Sequence, residues 1–398
     1  MVGSSLSSLL FVVPMLGIFS ILFVVSRDLV QKQLALFIAS YFIFAVLSEY
    51  LFGMPFSRKS VIGNFTVDLV SPTLMLFWIS FYFASNIKIG RGAKDSLPLR
   101  RPDGQGTTIN TVILALPLIL FFAYFTIRNG VRVTGSFLEY RGQRSTLTDY
   151  MFVYYVVLVS QFRNSGLLLA VGLFAGASHM LSGERLRSFV YLIVILINYF
   201  RLDKRRHMSS AILILGFFFA TLIGLLRSGN LGMQREYNVT HFGSVTVSSL
   251  YLLDFGSTLE TFQKIQFVLG TFVANIIPSS FVPEAFNIRK AILTFADIPG
   301  GGWLPVFLKI QSGIIGVAVG GYIIGRIYRL ILARTQRVSV MQPAYYAATL
   351  AFIATAPRWF MYTPFQLLKM PLYAFTLSAA MIFLAHHWPR KHGRSARV

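Results

Sequence analysis

Long runs of apolar residues, separated by short polar stretches, extend over the whole chain. A helix needs roughly 20 mostly apolar residues to cross about 30 Å of hydrocarbon. Backbone polar groups in lipid must bond within their own segment, so these runs predict helices. The pattern predicts an all-α polytopic membrane protein with about eleven transmembrane helices, in a range of about 10 to 13. Their predicted bounds are Leu9–Val25, Leu34–Phe52, Leu69–Ala84, Ile109–Ile127, Tyr150–Phe162, Gly166–Leu181, Ser188–Phe200, Ala211–Leu226, Leu304–Ile324, Ala344–Ala356 and Phe365–His387.

Basic residues in the short connections predict how these helices are oriented, because cytoplasmic loops are enriched in Lys and Arg. The basic segments 88–101, 201–206, 326–337 and 390–397 all fall on one side when the helices alternate. The N-terminus is then expected outside and the C-terminus in the cytoplasm. We predict one transmembrane domain over residues 1–398, with outer segments at 128–149 and 227–303 and a basic cytoplasmic tail at 388–398.

The long outer segment contains one moderately apolar stretch, Thr258–Ile277, which ends before Pro278. A single crossing here would reverse the orientation of everything that follows it. We therefore expect either a helix that lies on the membrane surface or a re-entrant element that enters and leaves on the same side.

The composition excludes several classes of protein. Lys and Arg number 36 and Asp and Glu 14, a net charge of +22, in a chain of 398 residues that is 55% apolar and 13% charged. A soluble enzyme carries more charge, and a disordered chain carries fewer apolar residues. Nucleic-acid binders place basic residues on a soluble domain, for which the apolar runs leave no room, so no nucleic-acid partner is expected. The chain has no Cys, which excludes disulfides and thiolate metal sites.

Motifs for nucleotide and metal chemistry are missing from the sequence. It contains no Walker A loop, no G-x-S-x-G elbow, no H-E-x-x-H and no D-x-D pair. Fourteen acidic residues in the whole chain give little support for metal-assisted phosphate chemistry. The sequence predicts no metal and no other cofactor, and arginines can supply the charge stabilisation instead.

Arginines are unexpectedly frequent in the predicted outer segments, from which the orientation rule would remove them. Arginine is well suited to planar, two-point binding of phosphate or carboxylate. The outer arginines with candidate roles are Arg141, Arg144, Arg185, Arg187, Arg227, Arg235 and Arg289.

The turn SGERLR, Ser182–Arg187, has two interpretations. In the structural one, Ser182 is the N-cap of the next helix and the arginines extend to lipid headgroups. In the functional one, free N–H groups and the helix dipole attract an anion. Glu184 would then orient one arginine and leave the other for the ligand.

Two further segments contain groups capable of proton transfer. In QREYNVTHFG, Gln234–Gly243, Arg235 is a candidate phosphate contact and Glu236 or His241 a candidate general base. The alternative is a solvated loop without a catalytic role. His179 lies in the apolar run GASHML, where a structural histidine is the simpler interpretation. A membrane acyltransferase would also use a histidine in an apolar helix.

Two segments combine glycine and arginine with an apolar helix. SGERLRSFVYLIVILINYF, Ser182–Phe200, is a Gly- and Arg-bearing turn that opens an apolar helix, and Gly300–Tyr328 is a Gly-rich entry to a Gly-bearing helix with basic residues at its end. In these segments the chain resembles the O-antigen polymerases of bacterial inner membranes, the Wzy-type polymerases of lipid-linked oligosaccharide repeat units, and Gly300–Tyr328 is similar to the family's segment after its large outer loop. The spacing from Arg289 to Gly300 also fits the family's R-x10-G pattern.

The resemblance implies a GT-C-like architecture in the bacterial inner membrane, with the N-terminus in the periplasm. It implies glycosyl transfer between undecaprenyl-diphosphate-linked glycans on the periplasmic face, with a chain-length regulator protein as a further partner. On this basis Arg185, Arg187, Arg235 and Arg289 are expected to converge on the diphosphates, Arg141, Arg144 and Arg227 to form a second tier, and Glu236 and His241 to be candidate bases.

Other functions remain open at this point. An O-antigen ligase shares the layout and the donor but transfers the glycan to the lipid A core. A flippase or other transporter would favour charges within the helices and short loops on both sides. A membrane-bound O-acyltransferase would need His179 in a buried reaction chamber.

Overall fold

The computed structural model describes most of the apolar part of the chain. The described residues are 2–26, 28–39, 63–87, 108–129, 147–162, 165–182, 185–205, 208–216, 245, 249, 252–277, 281–295, 302–362 and 367–387. Regular structure in these residues is helical, and no strand occurs among them. The all-α class predicted from the sequence is therefore confirmed for the described part of the chain.

Within the described residues, twelve α-helices have defined ends, and their labels follow chain order. They are α1 (Val2–Val25), α2 (Leu29–Ile38), α3 (Gly63–Asn86), α4 (Thr108–Asn129), α5 (Leu147–Gln161), α6 (Gly166–Leu181), α7 (Arg185–Asn198), α8 (Thr261–Ile276), α9 (Ile288–Phe295), α10 (Leu304–Thr335), α11 (Gln342–Tyr362) and α12 (Lys369–His387). Residues 208–216 and 252–257 are also helical, and short 3-10 turns occupy Leu202–Lys204 and Glu284–Phe286.

The helices agree with the predicted spans in position more than in length. Helix α6 has the predicted bounds. Helix α3 has 24 residues and extends beyond both ends of the predicted span Leu69–Ala84. Among the described residues, two helices are long and apolar enough to cross a membrane, at Asn110–Arg128 and Leu304–Thr335. This is compatible with a helical membrane protein, and the number of crossings stays a prediction.

The outward face of α4 carries large apolar side chains. Ile113, Leu120 and Ile127 recur every seven residues and are among the most exposed apolar residues of the helix. A contiguous apolar face of this kind is unfavourable in water and favourable against lipid. The surface of α4 therefore supports a membrane environment for this helix.

Helices α3 and α10 pack closely because glycines lie at their contact. A Cβ on Gly321 would be 2.7 Å from the backbone oxygen of Phe77, and one on Gly325 would be 2.7 Å from that of Phe81. Small residues four apart allow helix backbones in membranes to approach in this way. The contact fixes α10 along the length of α3.

A kink divides α10 into two parts. Ser312 has φ −138° and Gly313 has φ +67°, a conformation that glycine adopts without steric strain. The eight residues Leu304–Gln311 precede the kink, and the longer part follows it.

Helices α7 and α11 are antiparallel neighbours. The Tyr346 hydroxyl, near the start of α11, lies 3.1 Å from Asn198 Oδ1 at the end of α7. The start of α7 and the end of α11 therefore lie together at the opposite end, which we call the outer end after its predicted orientation. The end at which α7 and α10 finish is the inner end.

Candidate anion-binding site

Two arginines and one aspartate form a shared ion pair at the outer end. Asp149 Oδ1 lies 3.2 Å from Arg187 Nε and 2.9 Å from Arg358 Nη1. The three side chains are 16%, 9% and 18% exposed, in that order. One carboxylate oxygen thus faces two guanidinium groups in a largely buried setting.

The local positions of these residues explain why they meet. Asp149 lies in the first turn of α5, where the helix dipole favours a negative charge. Arg187 is the third residue of α7, where the same dipole disfavours a positive charge. Asp149 compensates that unfavourable placement. Arg358 follows Pro357 near the C-terminal end of α11, an end that favours cations.

A narrow cleft, open on one side, lies beside the ion pair. Five helices contribute to its wall, α5, α6, α7, α11 and α12. The lining residues are Thr148, Asp149, Phe152, His179, Arg187, Val190, Tyr191, Thr355, Arg358 and Met370. We call this feature the outer cleft.

His179 forms part of the wall from the end of α6. Its side chain is fully buried. The ring stacks on Tyr191 with centroids 5.6 Å apart, and Phe122 and Phe125 approach at 5.6 and 5.1 Å. Aromatic contacts therefore hold the imidazole in one orientation at the cleft.

Among the described residues, three cations lie in or near the outer cleft. Arg187 and Arg358 face one carboxylate, and Lys369 is close enough to interact electrostatically with Asp149. Lys369 also donates a hydrogen bond of 3.0 Å to the backbone oxygen of Ile277. Charges in a partly buried site are less screened than at an open surface. The arrangement is suited to binding an anion with several oxygens, such as a phosphate or a carboxylate.

One sequence-predicted phosphate contact, Arg187, lies in the cleft. Arg185 is the first residue of α7 and Arg289 the second of α9, and the directions of their side chains are not described. The remaining predicted residues lie outside the described part of the chain; they are Arg141, Arg144, Arg227, Arg235, Glu236 and His241, together with Glu184.

The turn before α7 differs from the structural interpretation of SGERLR. Ser182 is the C-cap of α6, not the N-cap of α7. Its hydroxyl donates a hydrogen bond of 3.0 Å to the backbone oxygen of His179. The next helix begins at Arg185. Because α6 continues to Leu181, Ser182 lies too early in the chain to cap α7.

Sequence reasoning missed Asp149 and assigned no ligand role to Arg358. A signal was present in both cases. Asp149 is one of only 14 acidic residues and lies at the start of a predicted helix, and Arg358 lies just after a predicted span on its outer side. A carboxylate so placed is a natural partner for nearby outer arginines.

Comparison with known proteins gives no relative for this chain: no family model, no characterised protein and no solved structure matches it. Within the described ranges, no group of three or more His, Asp or Glu side chains is gathered in a metal-binding arrangement.

Proposed function

We propose that the outer cleft binds the phosphate of a lipid-linked substrate, and that the protein is an inner-membrane glycosyltransferase that polymerises undecaprenyl-diphosphate-linked oligosaccharide repeat units. The observation that carries the proposal is the pair of largely buried arginines that share one oxygen of Asp149. Both guanidinium groups can form charge-assisted hydrogen bonds with phosphate oxygens, so a bound diphosphate would be electrostatically favoured.

The position of the cleft also supports a lipid-linked substrate. Its wall is formed where α5, α7 and α12 begin and α11 ends, and these helices are largely apolar. A phosphate in the cleft would therefore lie at one end of an apolar helical bundle, where a lipid tail can extend along the helices.

The proposed reaction is a single glycosyl transfer. A hydroxyl of the acceptor repeat unit attacks the anomeric carbon of the donor, a new glycosidic bond forms, and the bond to the diphosphate breaks. The electron pair leaves with undecaprenyl diphosphate, and a base takes the proton of the hydroxyl. Arg187 and Arg358 would stabilise the charge that develops on the leaving diphosphate. Glu236 and His241 remain the proposed bases.

The experiment compares Arg187→Ala and Arg358→Ala with Arg128→Ala in nanodiscs supplied with lipid-linked repeat units. Arg128 is exposed at the end of α4 and does not line the cleft. Loss of one charge-stabilising contact typically costs about a hundredfold in rate. We expect losses of that order for the two cleft variants and none for Arg128→Ala, measured as glycan length on gels. Equal activity of all three variants would contradict the proposal.

The acceptor distinguishes a polymerase from the related alternatives. In cells that depend on this protein, loss of a polymerase leaves single-repeat caps on the lipid core, whereas loss of a ligase leaves none. Loss of a flippase removes the donor from the outer face, so externally supplied donor restores the product. These outcomes separate the functions without reference to the cleft variants.

A membrane O-acyltransferase is the second candidate, because His179 is buried and lines the same cleft. Such an enzyme would use His179 to activate an acceptor hydroxyl for acyl transfer. His179→Gln keeps a polar side chain in place of the imidazole. Glycosyl transfer retained in His179→Gln would remove this candidate, and acyl transfer lost in that variant alone would favour it.

A further inference from the structure

Helix α8 presents an uninterrupted apolar face to the outside of the molecule. Phe262 and Phe272 are 67% and 66% exposed, and four further apolar residues between and after them are exposed as well. The set is Phe262, Ile265, Leu269, Phe272, Val273 and Ile276. Their spacing of three and four residues puts them on one side of the helix.

The opposite side of α8 is already packed against the protein. Gln311 Nε2 donates a hydrogen bond of 2.9 Å to Thr271 Oγ1, and Phe267 is buried. Gly270 lies against the backbone of Phe286, where no side chain would fit. The exposed face is therefore not the face by which α8 joins its own bundle.

Contacts with two other helices show that α8 runs across the outer end. Its middle meets α10 at Gln311, next to the kink. Its C-terminal end is held by the first residues of α12, where Lys369 Nζ lies 3.0 Å from the Ile277 oxygen and the Tyr373 hydroxyl 2.9 Å from the Ile276 oxygen. The chain before α8 meets α10 at the same level, because Gly256 lies against Ile310 and Thr271 is bonded to Gln311. Helix α8 therefore crosses α10 instead of running alongside it.

The level of this crossing follows from the length of α10. Arg326 Nη1 donates a hydrogen bond to the backbone oxygen of Ile87, just beyond the end of α3. We use this charged side chain at the inner end as the inner boundary of the hydrocarbon core. Gln311 precedes Arg326 by about 15 residues, or about 22 Å of helix at 1.5 Å per residue. A hydrocarbon core of about 30 Å that ends at the level of Arg326 would extend about 8 Å beyond the crossing point. Interfacial helices bury their apolar faces to about this depth.

We propose that α8 lies at the lipid–water interface on the outer side of the membrane, with its apolar face against lipid acyl chains. Lipid is favoured over a protein partner because α10, to which α8 is joined, is apolar and long enough to cross a membrane and exposes large apolar side chains close to the contact. Ile314 and Ile315 follow the crossing point by less than one turn and are exposed like the residues of α8. The lipid contact does not depend on the proposed function.

The same contacts connect α8 to the outer cleft. Lys369 holds the end of α8, and the next residue, Met370, lines the cleft. With α8 in the interface, the cleft lies at the level of the headgroups. Its anion would then be the phosphate of a lipid and not that of a substrate dissolved in water.

The chain has no Cys, so each single-Cys variant carries one thiol for a nitroxide spin label. We would label Phe262→Cys, Leu269→Cys and Phe272→Cys in nanodiscs and compare the collision rates of the label with oxygen and with a water-soluble nickel chelate. Leu120→Cys on the apolar face of α4 serves as the lipid reference. Lys290→Cys serves as the water reference, since Lys290 forms an exposed ion pair with Glu284.

We expect the α8 labels to resemble Leu120→Cys, with oxygen collisions several-fold more frequent than nickel collisions. Nickel-dominated collisions, as at Lys290→Cys, would place the face in water and overturn the proposal. Low accessibility to both reagents would show that a second copy or another segment covers the face, and would overturn it equally. Since the readout needs no substrate, a failure here is separate from a failure of the proposed glycosyl transfer.

Discussion

Buried charged groups occur at both ends of the helical bundle, but they are built differently. In the outer cleft, Asp149 Oδ1 faces two guanidinium groups. At the inner end, the Asp28 carboxylate accepts hydrogen bonds from a tyrosine hydroxyl and from backbone N–H groups. It accepts a hydrogen bond of 2.7 Å from the Tyr328 hydroxyl and caps the start of α2 through the backbone N–H groups of Val30 and Gln31.

A second buried charge at the inner end is also held by neutral groups. Lys32 is fully buried and its Nζ lies 3.0 and 2.8 Å from the hydroxyls of Ser209 and Ser210. Arg329 interacts electrostatically with Asp28, and Asp203 with the neighbouring Tyr328. We call Asp28, Lys32, Tyr328 and Arg329 the inner cluster.

The difference suggests separate roles for the two ends. In the inner cluster, Asp28 and Lys32 are held by hydroxyl and backbone hydrogen bonds, which is typical of a structural network. Among the described residues of the outer cleft, two guanidinium groups share one carboxylate oxygen. A bound anion could interact with both guanidinium groups, so we expect ligand binding at the outer end and structural stabilisation at the inner end.

The largest effect is expected from Asp149→Ala. This change leaves two largely buried guanidinium groups without the carboxylate between them. Removal of one partner from a buried ion pair typically costs about 3–5 kcal/mol. Thermal unfolding in nanodiscs should show this loss, and added pyrophosphate should restore more stability to Asp149→Ala than it adds to the unaltered protein.

Asp149→Asn is the matched control, since it keeps the size of the side chain and one oxygen acceptor. We expect a smaller loss and a smaller response to pyrophosphate in this variant. If pyrophosphate stabilises Asp149→Ala no more than the unaltered protein, the outer cleft does not bind diphosphate and the contrast between the two ends disappears.

A smaller effect distinguishes a ligand-binding cation from a structural one. Arg358→Met and Lys32→Met each replace a buried cation with an apolar chain. A hydrogen bond to a charged group contributes about 1.5–3 kcal/mol, which is roughly a tenfold to hundredfold change in affinity. We expect Arg358→Met to weaken farnesyl diphosphate binding by that factor, and Lys32→Met to leave it unchanged within about twofold.

Binding is measured by titration of detergent-solubilised protein, and thermal unfolding confirms that both variants are folded. Similar losses of affinity in the two variants would mean that the effect comes from reduced net charge over the whole molecule. A loss confined to Lys32→Met would move the anion site to the inner end.

The helices were predictable from the sequence because long apolar runs determine where helices form in a chain of this composition. Gly166–Leu181 has the predicted bounds. Helix α9 was missed, because Ile288–Phe295 is short and amphipathic and no long apolar run marks it. The Thr258–Ile277 prediction identified a helix that the structure bounds at Thr261 and Ile276.

The site was less predictable, because its residues come from separate helices. Arg187 was recognisable from its unusual charge on the predicted outer side. Its partners Asp149 and Arg358 lie 38 residues before and 171 residues after it in the sequence. Which helices are neighbours depends on packing, such as the antiparallel contact of α7 with α11, and a hydropathy pattern alone does not encode that contact.

The smallest effect concerns pH and tests whether the inner cluster is structural. Burial raises the pKa of Asp28 above its ordinary value, against the opposing effects of the Tyr328 hydroxyl and the backbone N–H groups of α2. The Asp28 carboxyl therefore keeps its proton up to a higher pH in the folded protein than in the unfolded chain. The free energy of unfolding falls as pH rises from the ordinary aspartate pKa through the raised pKa of the folded state.

Asp28→Asn keeps an oxygen for the cap but does not titrate. In unfolding experiments from about pH 4 to about pH 8, the stability of the unaltered protein relative to Asp28→Asn should decline with rising pH and then level off. A relative stability that rises with pH would mean that the hydrogen bonds to the carboxylate outweigh the cost of its burial. The inner cluster would then favour a buried negative charge.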